Sequence, residues 1–287
     1  MALPFIIFVF IFSYLPLRGW IYAFFHFKPG IPLFECEPAG FEYFTRMFVN
    51  PAQRSQLGNV MLNTIAIALL NIILSPITVT FAILLNEIGR KSRRVIQSLT
   101  TIPHFISWAL VYAMAFFMFS VTDGFVNNIL EELGYERINF LISDRHIWLK
   151  MKGYNMWKQT GWSAIIYLAA ISGIDQELYE AATVDGAGRF RRMWHVTLPG
   201  VIPTYFVLMI ISIGNFINVG MEQYFVFSNA FNKQYIEVLD LYVYNQGIGS
   251  GFISYATAIG MLKSIVSIGL FTFANRLSKA VRGTSIF

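Results

Sequence analysis

The sequence predicts an all-α membrane protein with six transmembrane helices, and three observations carry that expectation. Of its residues, 56% are hydrophobic and only 13% are charged, against about 25% charged in an ordinary soluble domain. Mean hydropathy is correspondingly high, at +0.56. The apolar residues fall in long runs free of charge, and the charged residues collect between those runs. A strand barrel would need segments of about ten residues with alternating polarity, whereas NTIAIALLNIILSPITVTFAILL is one unbroken apolar stretch.

A helix crosses roughly 30 Å of hydrocarbon with about 20 residues, and six runs approach that length. Met1–Leu17 is apolar but short. Ser55–Asn86 carries no charge, and Pro76 within it predicts a kink of the sort membrane bundles tolerate. Val95–Thr122 is likewise uncharged. Gln159–Ile174 is shorter, with Lys158 expected to snorkel from its end toward the interface. Val196–Met221 is the fifth run, and Phe252–Ala274, interrupted only by Lys263, is the sixth. Their centres lie near residues 10, 73, 111, 165, 208 and 264.

Six spans put both termini on one side. The segments on that side would be Glu87–Leu99, Gly173–Gly200 and Asn275–Phe287. They hold Arg90, Lys91, Arg93, Arg94, Arg189, Arg191, Arg192, Arg276, Lys279 and Arg282. The opposite loops are about twice as long in total for a similar number of basic residues. The denser basic side is assigned to the cytoplasm. No Lys or Arg precedes Arg18, so a basic leader ahead of Met1 is expected. A cleaved signal peptide would show a basic start and an A-x-A site, and neither is present. The outer segments Arg18–Leu57, Val121–Trp157 and Glu222–Ile253 mix Pro, Gly, aromatics and charge, a composition suited to short interfacial helices capping the outer mouth. No linker or repeat divides the chain, so residues 1–287 are expected to form one transmembrane domain.

Several function classes find no support. The net charge of +5 follows from membrane topology and does not call for nucleic acid. One cysteine, Cys36, permits no intrachain disulfide. No G-x-x-x-x-G-K-[ST] phosphate loop occurs, and GIGSGF from Gly247 fails the dinucleotide pattern. The four histidines stand far apart, without metal-ligand spacing. No catalytic motif is evident, and an enzyme is not expected.

The polar segment EAATVDGAGRFRRMWHVTLP, Glu180–Pro199, interrupts the apolar pattern between the fourth and fifth runs. Asp175 can cap a helix over QELYEAATV, with Glu177 in its first turn where the dipole favours an acid. Leu178, Ala181 and Ala182 share one small apolar face. Asp185-Gly186 is a turn signal. A second short helix over GRFRRMWHV should end at Leu198-Pro199. Patterning alone leaves two readings open: an interfacial loop whose arginines meet lipid phosphates, or a docking site for a partner protein.

Glu180, Ala181, Ala182, Gly186, Val196, Leu198 and Pro199 follow the order E-A-A-x-x-x-G, nine residues, an aliphatic, one residue, L-P. This resembles the EAA loop of permease subunits of bacterial binding-protein-dependent ABC importers, with valine in place of the usual isoleucine. RFRRMWHVTLPGVIPT and YATAIGMLKSIVSIGLFTFANRL look like the carbohydrate-uptake branch, near maltose-transporter and oligosaccharide permeases. An alginate or other acidic-oligosaccharide permease is the narrower likeness. The resemblance implies a type I importer fold in the bacterial inner membrane, with a coupling loop at about residues 174–200. It also implies two cytoplasmic ATPase subunits that hold ATP and Mg, a second permease (homologous or a copy of this chain) and a periplasmic solute-binding protein. Glu180 is implied to meet a basic group in an ATPase cleft, and Gly186 to form the turn that lets the two helices fit.

For an oligosaccharide path, aromatic faces and polar side chains within spans are the candidates. These are Trp108 and Tyr112 in the third span and Trp162 and Tyr167 in the fourth. Asn215 and Asn218 lie in the fifth, with Glu222 and Tyr224 just beyond, and Lys263 lies in the sixth. Each has a structural alternative, since Asn and Tyr bond between helices and Trp and Tyr populate interfacial belts. Lys263 sits near mid-span, where an unpartnered ammonium costs on the order of 3 kcal/mol. Two partners stand open for it, an anionic sugar and an acid on the second permease. The rival functional classes are a secondary transporter or channel working without ATP, and a membrane scaffold; neither needs an ATPase dock.

Overall fold

The computed structural model describes residues 3–143 and 146–282, and most of these are helical. Among the described residues the extended structure amounts to an isolated bridge between Phe25 and Pro38. The first helix, α1 (Leu3–Phe24), is apolar, and its N-terminal half is exposed among the described residues. After it comes a short helix, α2 (Glu42–Val49). Asn50 then caps α3 (Pro51–Ile73), its Oδ1 accepting from the backbone N–H groups of Ala52 (3.0 Å) and Gln53 (3.4 Å). Helix α4 (Pro76–Glu87) resumes after a two-residue gap at Leu74 and Ser75, so the helix is interrupted next to Pro76. Pro76 has no N–H for the carbonyl of Ile72. The Ser75 hydroxyl donates to that carbonyl instead, at 2.7 Å.

The third apolar run is not one straight helix. It divides into α5 (Arg90–Thr101), a tight turn at Ile102–Phe105 and α6 (Trp108–Phe119), and the two arms are bent by 105°. Pro103 withholds a donor at the break, Ile106 is extended, and Ser107 starts the new helix by accepting from Leu110 N–H. The freed carbonyls of Pro103, His104 and Ile106 all receive hydrogen bonds from the ammonium of Lys158, at 3.2 Å and 2.6 Å for the first two. Lys158 therefore does not snorkel. Its residue is 6% exposed, because three carbonyls inside the protein solvate it better than a reach along lipid would.

Lys158 belongs to α8 (Ile147–Ser172), which follows α7 (Phe125–Glu132). Helix α8 is the centre of the bundle and packs against α3, α4 and α5. It is long enough to span, yet it is not among the helices apolar enough to do so by composition. Those are Leu3–Phe24, Pro51–Glu87, Arg189–Gly214 and Ile253–Arg276, with the bent α5–α6 pair as a fifth. Helix α8 holds the fourth expected span; Asn155, Gln159 and three lysines lower its hydropathy, and each lysine turns to a protein partner. Lys150 donates to the carbonyls of Phe140 and Ser143, Lys152 to Asn71 Oδ1, and Lys158 to the break.

Helix α9 (Gln176–Val184) and helix α10 (Arg189–Gly214) come next. Helix α10 does not end at Leu198-Pro199 as expected. A wider π-turn at Met193–Thr197 sends the Leu198 N–H back five residues, to Met193 O. The extra residue just ahead of Pro199 lets the helix continue through it. Short helices α11 (Glu222–Phe227), α12 (Lys233–Ile236) and α13 (Leu239–Tyr244) then cap one end, as expected for an outer segment. They bury Tyr224, Phe227, Ile236, Val238, Leu241 and Tyr242 against α3, α6 and α8. The last helix, α14 (Ile253–Arg282), packs on α10 and on the second half of α1.

Candidate functional site

Two features stand out, a protruding helix–turn–helix and a polar cavity. The first is built from strong local signals. Asp175 caps α9, its Oδ1 accepting from Glu177 N–H at 3.0 Å. Gly186 closes α9 at φ +75°, a backbone state that costs other L-residues about 1–2 kcal/mol. Its N–H donates to Thr183 O (3.1 Å), and Ala187 N–H donates to Ala182 O (2.8 Å), the paired bonds of a Schellman ending. The base of α10 is fixed by a second set of contacts. Tyr179 Oη meets the buried Thr197 Oγ1 at 3.0 Å. Arg192 donates to Thr183 Oγ1 at 3.2 Å. Arg189 pairs with the Glu87 carboxylate at 3.4 Å and bonds its carbonyl as well.

The seven motif residues divide by role. Glu180, Ala181, Gly186 and Pro199 are exposed, Ala182 and Val196 are half-buried, and Leu198 packs into the cluster that joins α4, α8 and α10. Glu180 lines a shallow groove of about 250 Å³ with Gln176, Tyr179, Thr183, Val184 and Arg192. On its wall Val184 is 87% exposed. An exposed apolar side chain beside a carboxylate and an arginine is a surface suited to a protein partner.

The second feature is a cavity of about 440 Å³ between α3, α4, α8 and α10, within the range of small-molecule sites. Its walls are unusually polar for an intramembrane space. Asn71, Lys152, Asn155, Gln159, Ser163 and Asn215 are among the residues that line it. Of the nine path residues expected from the sequence, it gathers Tyr167, Asn215 and Asn218. The others lie elsewhere. Trp108 sits under the Lys158 ammonium, 5.6 Å from the ring centroid. Tyr112 meets Phe227 edge-on, and Tyr224 is buried in the same cluster. Trp162 stacks on His104 with centroids 4.4 Å apart. Glu222 is exposed at the start of α11. Lys263 faces a different cavity, of about 740 Å³, where it is ion-paired with Asp240 of its own chain. That partner is neither of the two expected for it.

The sequence does hold the signal for the missed cavity residues. Lys152, Asn155, Gln159 and Ser163 are spaced three, four and four apart, so they form one polar stripe along α8. Among the described residues no group of three His, Cys, Asp or Glu converges on a metal position.

Residues 78–283 match the family model described as binding-protein-dependent transport system inner membrane component. The chain is 39% identical to Protein LplB of Bacillus subtilis (strain 168), covering 100% of this chain and 90% of that protein. It is 38% identical to the polygalacturonan/rhamnogalacturonan transport system permease protein YteP of the same organism, covering 97% of this chain and 86% of that one. Among solved structures it superimposes, with a TM-score of 0.87 and 32% identity, on a chain of a bacterial alginate ABC transporter in complex with an alginate pentasaccharide-bound periplasmic protein. That match covers 100% of this chain and 95% of the other.

Proposed function

The chain belongs to the family of binding-protein-dependent transport system inner membrane components, and from that premise we propose that it is the membrane-spanning subunit of an ATP-driven importer of oligosaccharides. An acidic, alginate-like oligosaccharide is the narrower form of the proposal. The observation that carries it is the α9–α10 helix–turn–helix, with Glu180 exposed on its groove and its base fastened to the bundle by Leu198, Tyr179 and Arg189. A protruding element that is mobile at its base could not transmit force, and this one is fixed there.

In this proposal residues 1–287 form one transmembrane domain with a coupling loop at about 174–200, and both termini are cytoplasmic. A cytoplasmic ATPase subunit takes the loop in a cleft. Glu180 meets a basic group there, and the alanines and Gly186 let the two surfaces come close. Two such ATPases hold ATP and Mg; this chain has no phosphate-binding loop of its own. Their closure pushes α9, and the helices it is fastened to swing as rigid bodies. A solute-binding protein delivers the saccharide on the opposite face, where α11–α13 cap the bundle. A second permease, homologous or identical, completes the path. The polar cavity beside α8 lies on this chain's share of that path, with Tyr167, Asn215 and Asn218 among its contacts. Trp108, Tyr112, Trp162, Glu222, Tyr224 and Lys263 do not line it, although Asn218 also lines the cavity that Lys263 faces.

Glu180→Arg is the direct test. Reconstituted with its partner subunits, the variant is expected to lose at least about tenfold in ATP-driven saccharide uptake, because a like-charge contact in the cleft costs several kcal/mol. The membrane domain should fold and melt as the wild type does. Uptake that persists in the variant and also survives ATP depletion overturns the proposal.

A further inference from the structure

The cavity beside α8 carries an unbalanced charge. Among the described residues Lys152 is the single charged side chain on its wall, and no aspartate or glutamate lines it. The hydrogen bond Lys152 makes runs to a neutral partner, Asn71 Oδ1 at 2.8 Å. Asn71 lies close to residue 69, the midpoint of the kinked span Pro51–Glu87. The ammonium is therefore held half-buried between α3 and α8, where low-dielectric walls strengthen and focus its field. Lys263 offers a contrast within the same chain, because Asp240 neutralises it.

The rest of the wall suits a hydroxyl-rich ligand. Asn71, Asn155, Gln159 and Asn215 supply amide donors and acceptors, and Ser163 and Ser212 supply hydroxyls. Such groups bond sugar hydroxyls of any kind and do not separate a neutral sugar from an acidic one. The charge on Lys152 does. Its amino group has three donors, of which Asn71 takes one, so it can hold Asn71 and a carboxylate together.

Resting on the saccharide-permease reading above, we infer that Lys152 selects anionic saccharides by receiving a uronate carboxylate inside the cavity. Lys152 is a specificity residue, with Asn71 holding its amino group toward the path. The alternative is a purely structural tie between α8 and α3, and binding experiments separate the two.

The measurement is equilibrium binding to the purified permease–ATPase complex without any solute-binding protein. The probes are tetragalacturonate and its fully methyl-esterified form, which share rings and free ring hydroxyls and differ in charge. The wild type is expected to prefer the acid at least tenfold, with the preference shrinking as salt is added. Lys152→Gln is expected to lose about 10- to 100-fold in affinity for the acid, the worth of a charge-assisted hydrogen bond, and less than about threefold for the ester. Lys152→Arg keeps the preference for the acid. Equal losses for both probes in Lys152→Gln assign the lysine to structure and overturn the inference. A wild type that binds neither probe, or binds both alike, overturns it without recourse to any variant. None of these results bears on ATP-driven uptake, so they leave the test at Glu180 standing separately.

Discussion

A single ammonium makes the sharpest bend in the bundle tenable. Three carbonyls at the α5–α6 break point at Lys158; the Pro103 carbonyl also takes the Ile106 N–H, and a buried ammonium left without these carbonyls would cost several kcal/mol. Two neighbours on α8 support the same joint. Gln159 Oε1 contacts His104 Nδ1 at 2.9 Å, and Gly161 lies so close to α5 that a Cβ there would fall inside the Thr100 carbonyl. Gly161→Val is therefore expected to push α5 off α8 and destabilise the domain by about 1–3 kcal/mol or more, read as a lowered melting midpoint in detergent. None of this was legible in the sequence. Lys158 was visible as a charge at the end of an apolar run, but its partners are backbone carbonyls, whose direction depends on a bend the pattern of apolar residues does not encode. Lys263 repeats the lesson, since Asp240 is 23 residues away along the chain and becomes its neighbour only when α13 folds back onto α14.

Among the elements, α9 was the most legible. Its bounds, its Asp175 cap and its Gly186 ending follow from side chains that act within one or two turns of their own position. Gly186→Val should strain that ending by about 1–2 kcal/mol. Because the turn is exposed, the expected result is a several-fold loss of ATP-driven uptake with the melting midpoint of the membrane domain shifted by no more than a few degrees. The two elements read incorrectly both involve proline. At Pro103 the chain breaks and turns by 105°, and at Pro199 it runs straight on. Proline removes a donor in both places. What differs is the repair: Lys158 from another helix answers the first, and a π-turn answers the second. Neither repair is written in the residues next to the proline. The polar stripe on α8 could have been found, because Lys152, Asn155, Gln159 and Ser163 keep helical spacing. It went unseen because Lys152 and Asn155 precede Gln159, where the charge-free run starts.

At the scale of the whole molecule, the helical membrane architecture was legible from composition alone; α8 has the length of a span without the composition of one, because the centre of a bundle need not look like lipid. The proposed orientation makes a prediction of its own. With Cys36 replaced by serine, a cysteine at Val184, which is 87% exposed, should react with a membrane-impermeant thiol reagent in inside-out vesicles and stay unlabelled in right-side-out ones. The reverse pattern would place α9 outside the cell and remove the ATPase dock. A further consequence comes from Ser75. Its hydroxyl mends the gap left by Pro76 and also touches Tyr205 on α10, at 3.0 Å. The knee of one long helix is thereby latched to the shaft that bears the protruding loop. Torque entering at that shaft cannot leave the knee untouched, and Leu74, Ser75 and Thr78 around it are part of the wall of the polar chamber. In the proposed role, any stroke entering through the loop would then reshape the polar chamber itself.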